Sequence, residues 1–531
     1  MRVVSVITLF VACIFRCLNS TAQQAPIFYF NQTLGPYAVG VRVVEQYDYS
    51  RAYHSSTDIL GKPYTGERAR PLQTLIWYPA IKSNKQPMTV GDYANLLKTE
   101  TDFTAVELPA ERKKLWIDGM SRTLSSPLWA VRDAPEISGH FPVVIYAPSL
   151  DASSWENADL CEYLATYGYV VIASPDMGAN KREMTQDVKG PSAQAQDISF
   201  LIGYAHSLAN TDMSEIAVAG FSWGGLSNLF AAARDSRIDA LVCLDGSLRY
   251  YPGLVQEAGD IHPELMTIPM IYFANGESTI EEDDSNRTYI KKTLLENVDG
   301  RNVLNAWTHG DLITAHMLGF VHPEFGSMLQ RNDNMWTGFP KVQMAGYGRE
   351  DGVIGYGLVA KYTLEFLNAY LKHDPAAIEF LKRPPSENGA PKHFMSLNYR
   401  VADGPPASFE TLLSELGRQG YDHLANIYDA MHNSDTAFTL DQATLNSWAS
   451  DLMNEGHVPE AAYVYEFVLA LYPQSHETYL SLGNAYRDSG QDTKAVKAYK
   501  QGLLEIHNPA MIQALQRNLK AIETDMTGQH K

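Results

Sequence analysis

The chain has 531 residues, 45% of them hydrophobic and 19% charged, which is the composition of a globular protein long enough for a sizeable core and a second module. Its formal net charge of -19 argues against nucleic acid or an anionic membrane as a partner reached through a general positive field. That charge says little about a small-molecule substrate, because it is spread along the chain.

The N-terminus has the organisation of an export signal: Arg2 supplies the positive end, Val3 to Phe15 an apolar run, and Ser20-Thr21-Ala22 a small-residue stretch. Residues 1–22 are therefore expected to be removed, leaving a secreted or periplasmic protein whose remaining cysteines are Cys161 and Cys243. Both sit in apolar segments, where a buried thiol is expected rather than a disulfide scaffold. No later stretch has the eighteen or so apolar residues of a membrane span.

Val39 to Tyr49 and Leu72 to Tyr78 read as strands, and Asn84 to Gly139 as a long connection of mixed helical patterning. Regular alternation follows. Strands are expected at Pro142–Ala147, Tyr169–Ala173, Ile216–Gly220, Ile238–Leu244, Ile268–Ala274 and Arg301–Trp307, with helices at Trp155–Tyr167, Ala193–Ala209, Leu226–Ala233 and Val353–Tyr370. Near-continuous apolar strands signify a mostly parallel sheet covered by helices, an α/β class, with active groups just beyond the carboxyl ends of its strands. This unit is expected over 23–372, a proline-rich linker over 373–408, and a helical region over 409–531. In the last, Gly490, Ala495 and Tyr499 repeat Gly456, Ala461 and Tyr465 at a 34-residue period, the signature of tetratricopeptide helix pairs. Such a stack suggests a surface for a protein partner or self-association.

Gly220-Phe221-Ser222-Trp223-Gly224 lies between an apolar strand and an alanine-rich helix. In that context G-x-S-x-G marks a strained strand-to-helix turn whose glycines allow close approach while the serine hydroxyl protrudes, which makes Ser222 a candidate nucleophile. An oxyanion needs two backbone N–H donors, expected from Trp223 and from Leu150 in the Pro148-Ser149-Leu150-Asp151 turn. The serine needs a base, and the base an orienting carboxylate. His309, read as following the strand that ends at Trp307, is the expected base; His316 and His322 are placed within or beyond the next helix. Asp245 at a strand end is the preferred acid and Glu277, after the next strand, the alternative. Asp176 reads equally as a pocket residue or as part of a turn. His309, His316 and His322 make no recognisable zinc spacing, and the chemistry requires no metal or organic cofactor.

Residues 39–372 resemble the plasma-type platelet-activating-factor acetylhydrolases and, more loosely, the dienelactone hydrolases and bacterial cutinase-like polyesterases, all of the α/β-hydrolase fold. The resemblance rests on the Ser222 elbow, on Leu244-Asp245 at the next strand end, on His309 and on Leu150 in the oxyanion turn. It implies a serine-dependent carboxylic ester hydrolase working through an acyl-enzyme on short-chain or lipid acetyl esters, a role in lipid degradation. Pro148-Ser149 stands where the acetylhydrolases have His-Gly, and Trp223 is bulky for the elbow; both bear on pocket shape. Ser222 also departs from the cysteine nucleophile of the dienelactone hydrolases proper. The rival readings are a serine peptidase or amidase, and an extracellular binding or assembly module with a silent hydrolase domain. The aromatic segment around Leu115-Trp116 and Trp129 reads either as a cover over the pocket or as scaffold.

Overall fold

The computed structural model describes residues 27–108, 110–276, 302–338 and 346–528. The expected export segment at 1–22 and the alternative acid Glu277 lie outside them. The chain forms two compact units, one comprising residues up to Ile261, Ile268–Asn305 and Asp311–Arg400, the other His262–Thr267, Ala306–Gly310 and Val401 onward.

The first unit is built on one ten-stranded sheet: β1 Ala38–Ala52, β2 Ala69–Ala80, β3 Ala130–Arg132, β4 Phe141–Ala147, β5 Val170–Ala173, β6 Thr211–Phe221, β7 Ala240–Leu244, β8 Met270–Asn275, β9 Leu312–Met317 and β10 Met395–Arg400. Their order is β3-β1-β2-β5-β4-β6-β7-β8-β9-β10. Strands β5, β4, β6, β7, β8 and β9 run parallel, while β2 is antiparallel to β1 and β5, and β10 to β9. Every residue of β4, β7 and β9 is buried, as a strand covered on both faces requires. Helices α1 Ala158–Thr166, α2 Lys189–Ala205, α3 Trp223–Ala232 and α4 Arg349–Leu371 supply the cover. This is an α/β fold, a mostly parallel sheet with antiparallel strands at β2 and β10 and helices covering it. Cys161 and Cys243 are buried free thiols, and among the described residues no helix is long and apolar enough to cross a membrane.

Two larger differences from the sequence reading matter, and one of them moves the site. The strand expected at Arg301–Trp307 is instead a short helix over Val303–Ala306. Asn302 starts it by accepting the Leu304 N–H on its side chain at 3.0 Å, which satisfies a helix-end donor and favours a turn over a ladder. The parallel partner of β8 is β9, whose six residues are all buried. The expected linker at 373–408 holds helix α5 Pro375–Lys382, capped by Asp374, and the edge strand β10, so the first unit runs on to Arg400.

The second unit is helical: α6 Phe409–Gln419, α7 Leu424–Ser434, α8 Gln442–Asn454, α9 Val458–Leu471, α10 Thr478–Asp488, α11 Asp492–Glu505 and α12 Pro509–Gly528. Consecutive helices from α8 to α12 pack on one another. The repeated residues do equivalent work: Gly456 and Gly490 take φ of 88° and 73° at the α8/α9 and α10/α11 turns, a region open to glycine. Ala461, Tyr465, Ala495 and Tyr499 lie in the core.

Candidate active site

The turn at Ser222 is set by close packing. Ser222 follows β6 and caps the start of α3 with φ 54° and ψ -116°, a strained conformation that persists only where its surroundings hold it. They do so through the Ser222 N–H to Leu244 O at 3.0 Å and the Ser247 N–H to Ser222 O at 2.7 Å. A Cβ on Gly224 would lie 2.0 Å from Ala147 O and 2.8 Å from Pro148 O, so only glycine lets the start of α3 meet the end of β4. That contact brings the Pro148–Asp151 turn against the helix N-terminus.

Ser222 Oγ stands 2.8 Å from His322 Nε2, and His322 Nδ1 stands 2.6 Å from Asp245 Oδ2. The preferred acid of the sequence reading, Asp245, is thus in line with Ser222, but the histidine between them is His322 rather than His309. His309 belongs to the second unit, where its Nδ1 lies 2.6 Å from Gly404 O. The physical reason is the displaced strand. A histidine carried beyond the last parallel strand must follow β9, and β9 ends at Met317 rather than at Trp307. His322 opens a one-turn helix, His322–Phe325, in which Glu324 Oε2 accepts the Val321 N–H at 2.7 Å. Its ring packs on Phe221, with centroids 5.0 Å apart. His316, the other histidine set aside, is a buried residue of β9.

Asp245 is fully buried. Its Oδ1 accepts the Tyr250 hydroxyl at 3.0 Å, and its Oδ2 accepts Asn275 Nδ2 at 2.5 Å as well as His322. Burial opposes ionisation of this carboxyl, but the hydrogen bonds and charge of His322, with the donors of Asn275 and Tyr250, outweigh it and hold its pKa below the usual value. For His322 burial works against the proton, and the Asp245 hydrogen bond and charge, with a smaller contribution from Glu156, raise its pKa above the ordinary imidazole value. An ionised Asp245 requires the proton on Nδ1, which leaves Nε2 to accept from Ser222.

In the Pro148–Ala152 turn, the Ser149 N–H donates to Glu156 Oε2 at 2.9 Å and the Asp151 N–H to Asp176 Oδ2 at 2.8 Å. The Leu150 N–H between them is given no acceptor, nor is the Trp223 N–H at the start of α3, among the described residues. These are the two donors proposed for an oxyanion. Asp176 is a buried turn residue. Beside Leu150 opens a cavity of about 310 Å³ whose lining includes Arg112, Leu115, Trp116, Arg182, Leu329 and Met335. Trp116 packs edge-on to Trp155 with centroids 5.4 Å apart, so it both walls this cavity and joins the core. Trp129 packs against Phe30 instead, at 5.2 Å.

Glu156, Tyr250 and Asn275 were not singled out in the sequence. Asn275 carried a signal, since it ends β8, the strand after the one bearing Asp245. Glu156 carried none, because its partners are set by a turn geometry that no spacing encodes.

No protein-family model matches the chain. A putative carboxymethylenebutenolidase of Methylorubrum extorquens is 27% identical over 131 residues, which are 22% of this chain and 45% of the relative, so the chain spans less than half of that protein's length. Among solved structures, a ferulic acid esterase from Streptomyces cinnamoneus superposes with a TM-score of 0.46 at 18% identity, covering 68% of this chain and 96% of that one.

Proposed function

We propose that this chain is a serine-dependent carboxylic ester hydrolase in which Ser222 is the nucleophile, His322 the general base and acid, and Asp245 the orienting carboxylate. The observation that carries the reading is the unbroken line of hydrogen bonds from Ser222 Oγ through the two nitrogens of one imidazole to a buried carboxylate. Ser222 attacks the ester carbonyl as His322 Nε2 takes its proton, and the imidazolium is held by Asp245. The Leu150 and Trp223 N–H groups receive the oxyanion. Collapse expels the alcohol, protonated by His322, and leaves an acyl group on Ser222. Water activated by the same histidine then releases the acid. The relative named as a carboxymethylenebutenolidase supports a hydrolase of this general kind.

The cavity beside Leu150 is the proposed acyl or leaving-group pocket, and its volume of about 310 Å³ favours short or compact esters over long acyl chains. The apolar N-terminal run with its small-residue end supports export, so we place the enzyme in the periplasm or outside the cell. The 34-residue recurrence and the packing of α8 to α11 support tetratricopeptide-like repeats in the second unit.

The test is hydrolysis of p-nitrophenyl esters from acetyl to palmitoyl, with Ser222→Ala in parallel. Expected are activity concentrated in the short chains and its loss in the variant. A folded wild-type protein without activity, and without labelling by a serine-reactive phosphonate, would overturn the reading and favour a binding module.

A further inference from the structure

Glu156 lies outside the line from Ser222 to Asp245, yet it touches both loops that flank Ser222. Its side chain is 1% exposed. One carboxyl oxygen accepts the Ser149 N–H at 2.9 Å and the Tyr146 hydroxyl at 3.2 Å, and the other accepts the Ser149 hydroxyl in a short hydrogen bond. Its own backbone carbonyl accepts the Met328 N–H at 3.1 Å, six residues beyond His322. The next residue extends the tie, since Asn157 Oδ1 accepts the Ser327 N–H at 2.7 Å.

We propose that Glu156 is a positioning residue that fixes the oxyanion turn, and does so against the segment that follows the base; this rests on the serine esterase reading above. The logic is one of donors. Three consecutive N–H groups, of Ser149, Leu150 and Asp151, compete for acceptors in the turn. Glu156 takes the first and Asp176 the third, so the middle one is left for substrate. The carboxyl is buried where charge is costly, and its pKa is pushed up to about 7 by that burial against the hydrogen bonds of Ser149 and Tyr146. A group kept there at such cost, with two of its three accepted hydrogen bonds coming from Ser149, suits a preformed oxyanion site.

Glu156→Ala frees the Ser149 N–H and loosens the turn. Because a misplaced oxyanion donor acts on the transition state, kcat for p-nitrophenyl acetate should fall by about 10²-fold with little change in KM. Glu156→Gln keeps a carbonyl oxygen for the Ser149 N–H and should recover most of the loss. A structural role alone would not separate kcat from KM in this way. A folded Glu156→Ala enzyme with wild-type kcat, or a Gln variant as impaired as Ala, overturns the proposal. If Glu156→Ala does not fold, Ser149→Ala deletes only the hydroxyl arm at a partly exposed position. It should lower kcat about fivefold at constant KM, and an unchanged kcat overturns the proposal. Should the wild-type enzyme itself prove inactive on esters, the esterase reading fails separately. Hydrogen exchange still decides the clamp: the Ser149–Ala152 amides should exchange faster in Ser149→Ala than in the wild type and close to the wild-type rate in Glu156→Gln, and an unchanged rate in Ser149→Ala would overturn it.

Discussion

His322 Nε2 lies 2.8 Å from Ser222 Oγ although the two residues are 100 positions apart in the chain, and the ring that bridges them to Asp245 rests on Phe221, the immediate neighbour of the nucleophile. The proposed base is therefore steadied by the same strand end that presents the serine. His322→Ala should lower kcat on the order of 10⁴–10⁶-fold, the range expected when one member of a unit acting together is removed. His309→Ala should leave kcat within about twofold. Steady-state ester kinetics on the two variants check this directly, and a reversed outcome would return the base to His309.

The pH profile follows from the same ring. The proposed mechanism needs His322 neutral, and Asp245 raises its pKa, so activity should fall as pH drops through a value above the ordinary 6.5. Asp245→Asn removes the hydrogen bond and charge that favour the imidazolium. The lower limb of the kcat/KM profile should then move to lower pH, while kcat drops by about 10⁴-fold through loss of the required tautomer. A limb that moves upward would mean that Asp245 is not the group holding the proton on His322.

Much of this arrangement was legible from residue order alone. The G-x-S-x-G turn between an apolar strand and a small-residue helix places Ser222, and Leu244-Asp245 closes a strand beside it, because strand ends in a parallel sheet are where functional groups gather. The histidine was missed through one strand boundary. Leu304 to Trp307 is as apolar as Leu312 to Met317, and hydrophobic periodicity does not tell a short buried helix from a short buried strand. The deciding interactions were the Asn302 side chain on the Leu304 N–H and the pairing of Met270 with Leu312, one local and one long-range. The proline-rich stretch after Lys382 similarly hid the edge strand β10, whose partner β9 is 78 residues away at the Met395–Met317 pair.

Gly224 gives a stability prediction independent of chemistry. Its missing side chain is what lets α3 sit on the carbonyls of Ala147 and Pro148, and a methyl group there would overlap backbone that has nowhere to move. Gly224→Ala should destabilise the first unit by about 3 kcal/mol, at the upper end of overpacking costs. The measurement is urea unfolding followed by tryptophan fluorescence. An unchanged midpoint would mean that the elbow is looser than its geometry indicates.

Asn275 offers the sharpest separation of support from chemistry. Its amide donates to Asp245 Oδ2 at 2.5 Å, the same oxygen that receives His322, while Tyr250 serves the other oxygen at 3.0 Å. Removing the amide leaves a buried carboxylate with fewer donors, so its pKa rises toward the usual value and, being more basic, it holds the His322 proton more firmly. Asn275→Ala should therefore cost about 2 kcal/mol of stability at neutral pH, the scale of a hydrogen bond to a charged group. It should also lower kcat about tenfold through looser orientation of Asp245 and shift the acid limb of the profile to higher pH, in the opposite direction to Asp245→Asn. Tyr250→Phe, which deletes a longer bond to the oxygen that does not face His322, should cost stability with a smaller change in the limb. If the two variants move the limb equally, the oxygens of Asp245 are not distinguished, and its orientation is set by the backbone at φ 44° rather than by its donors.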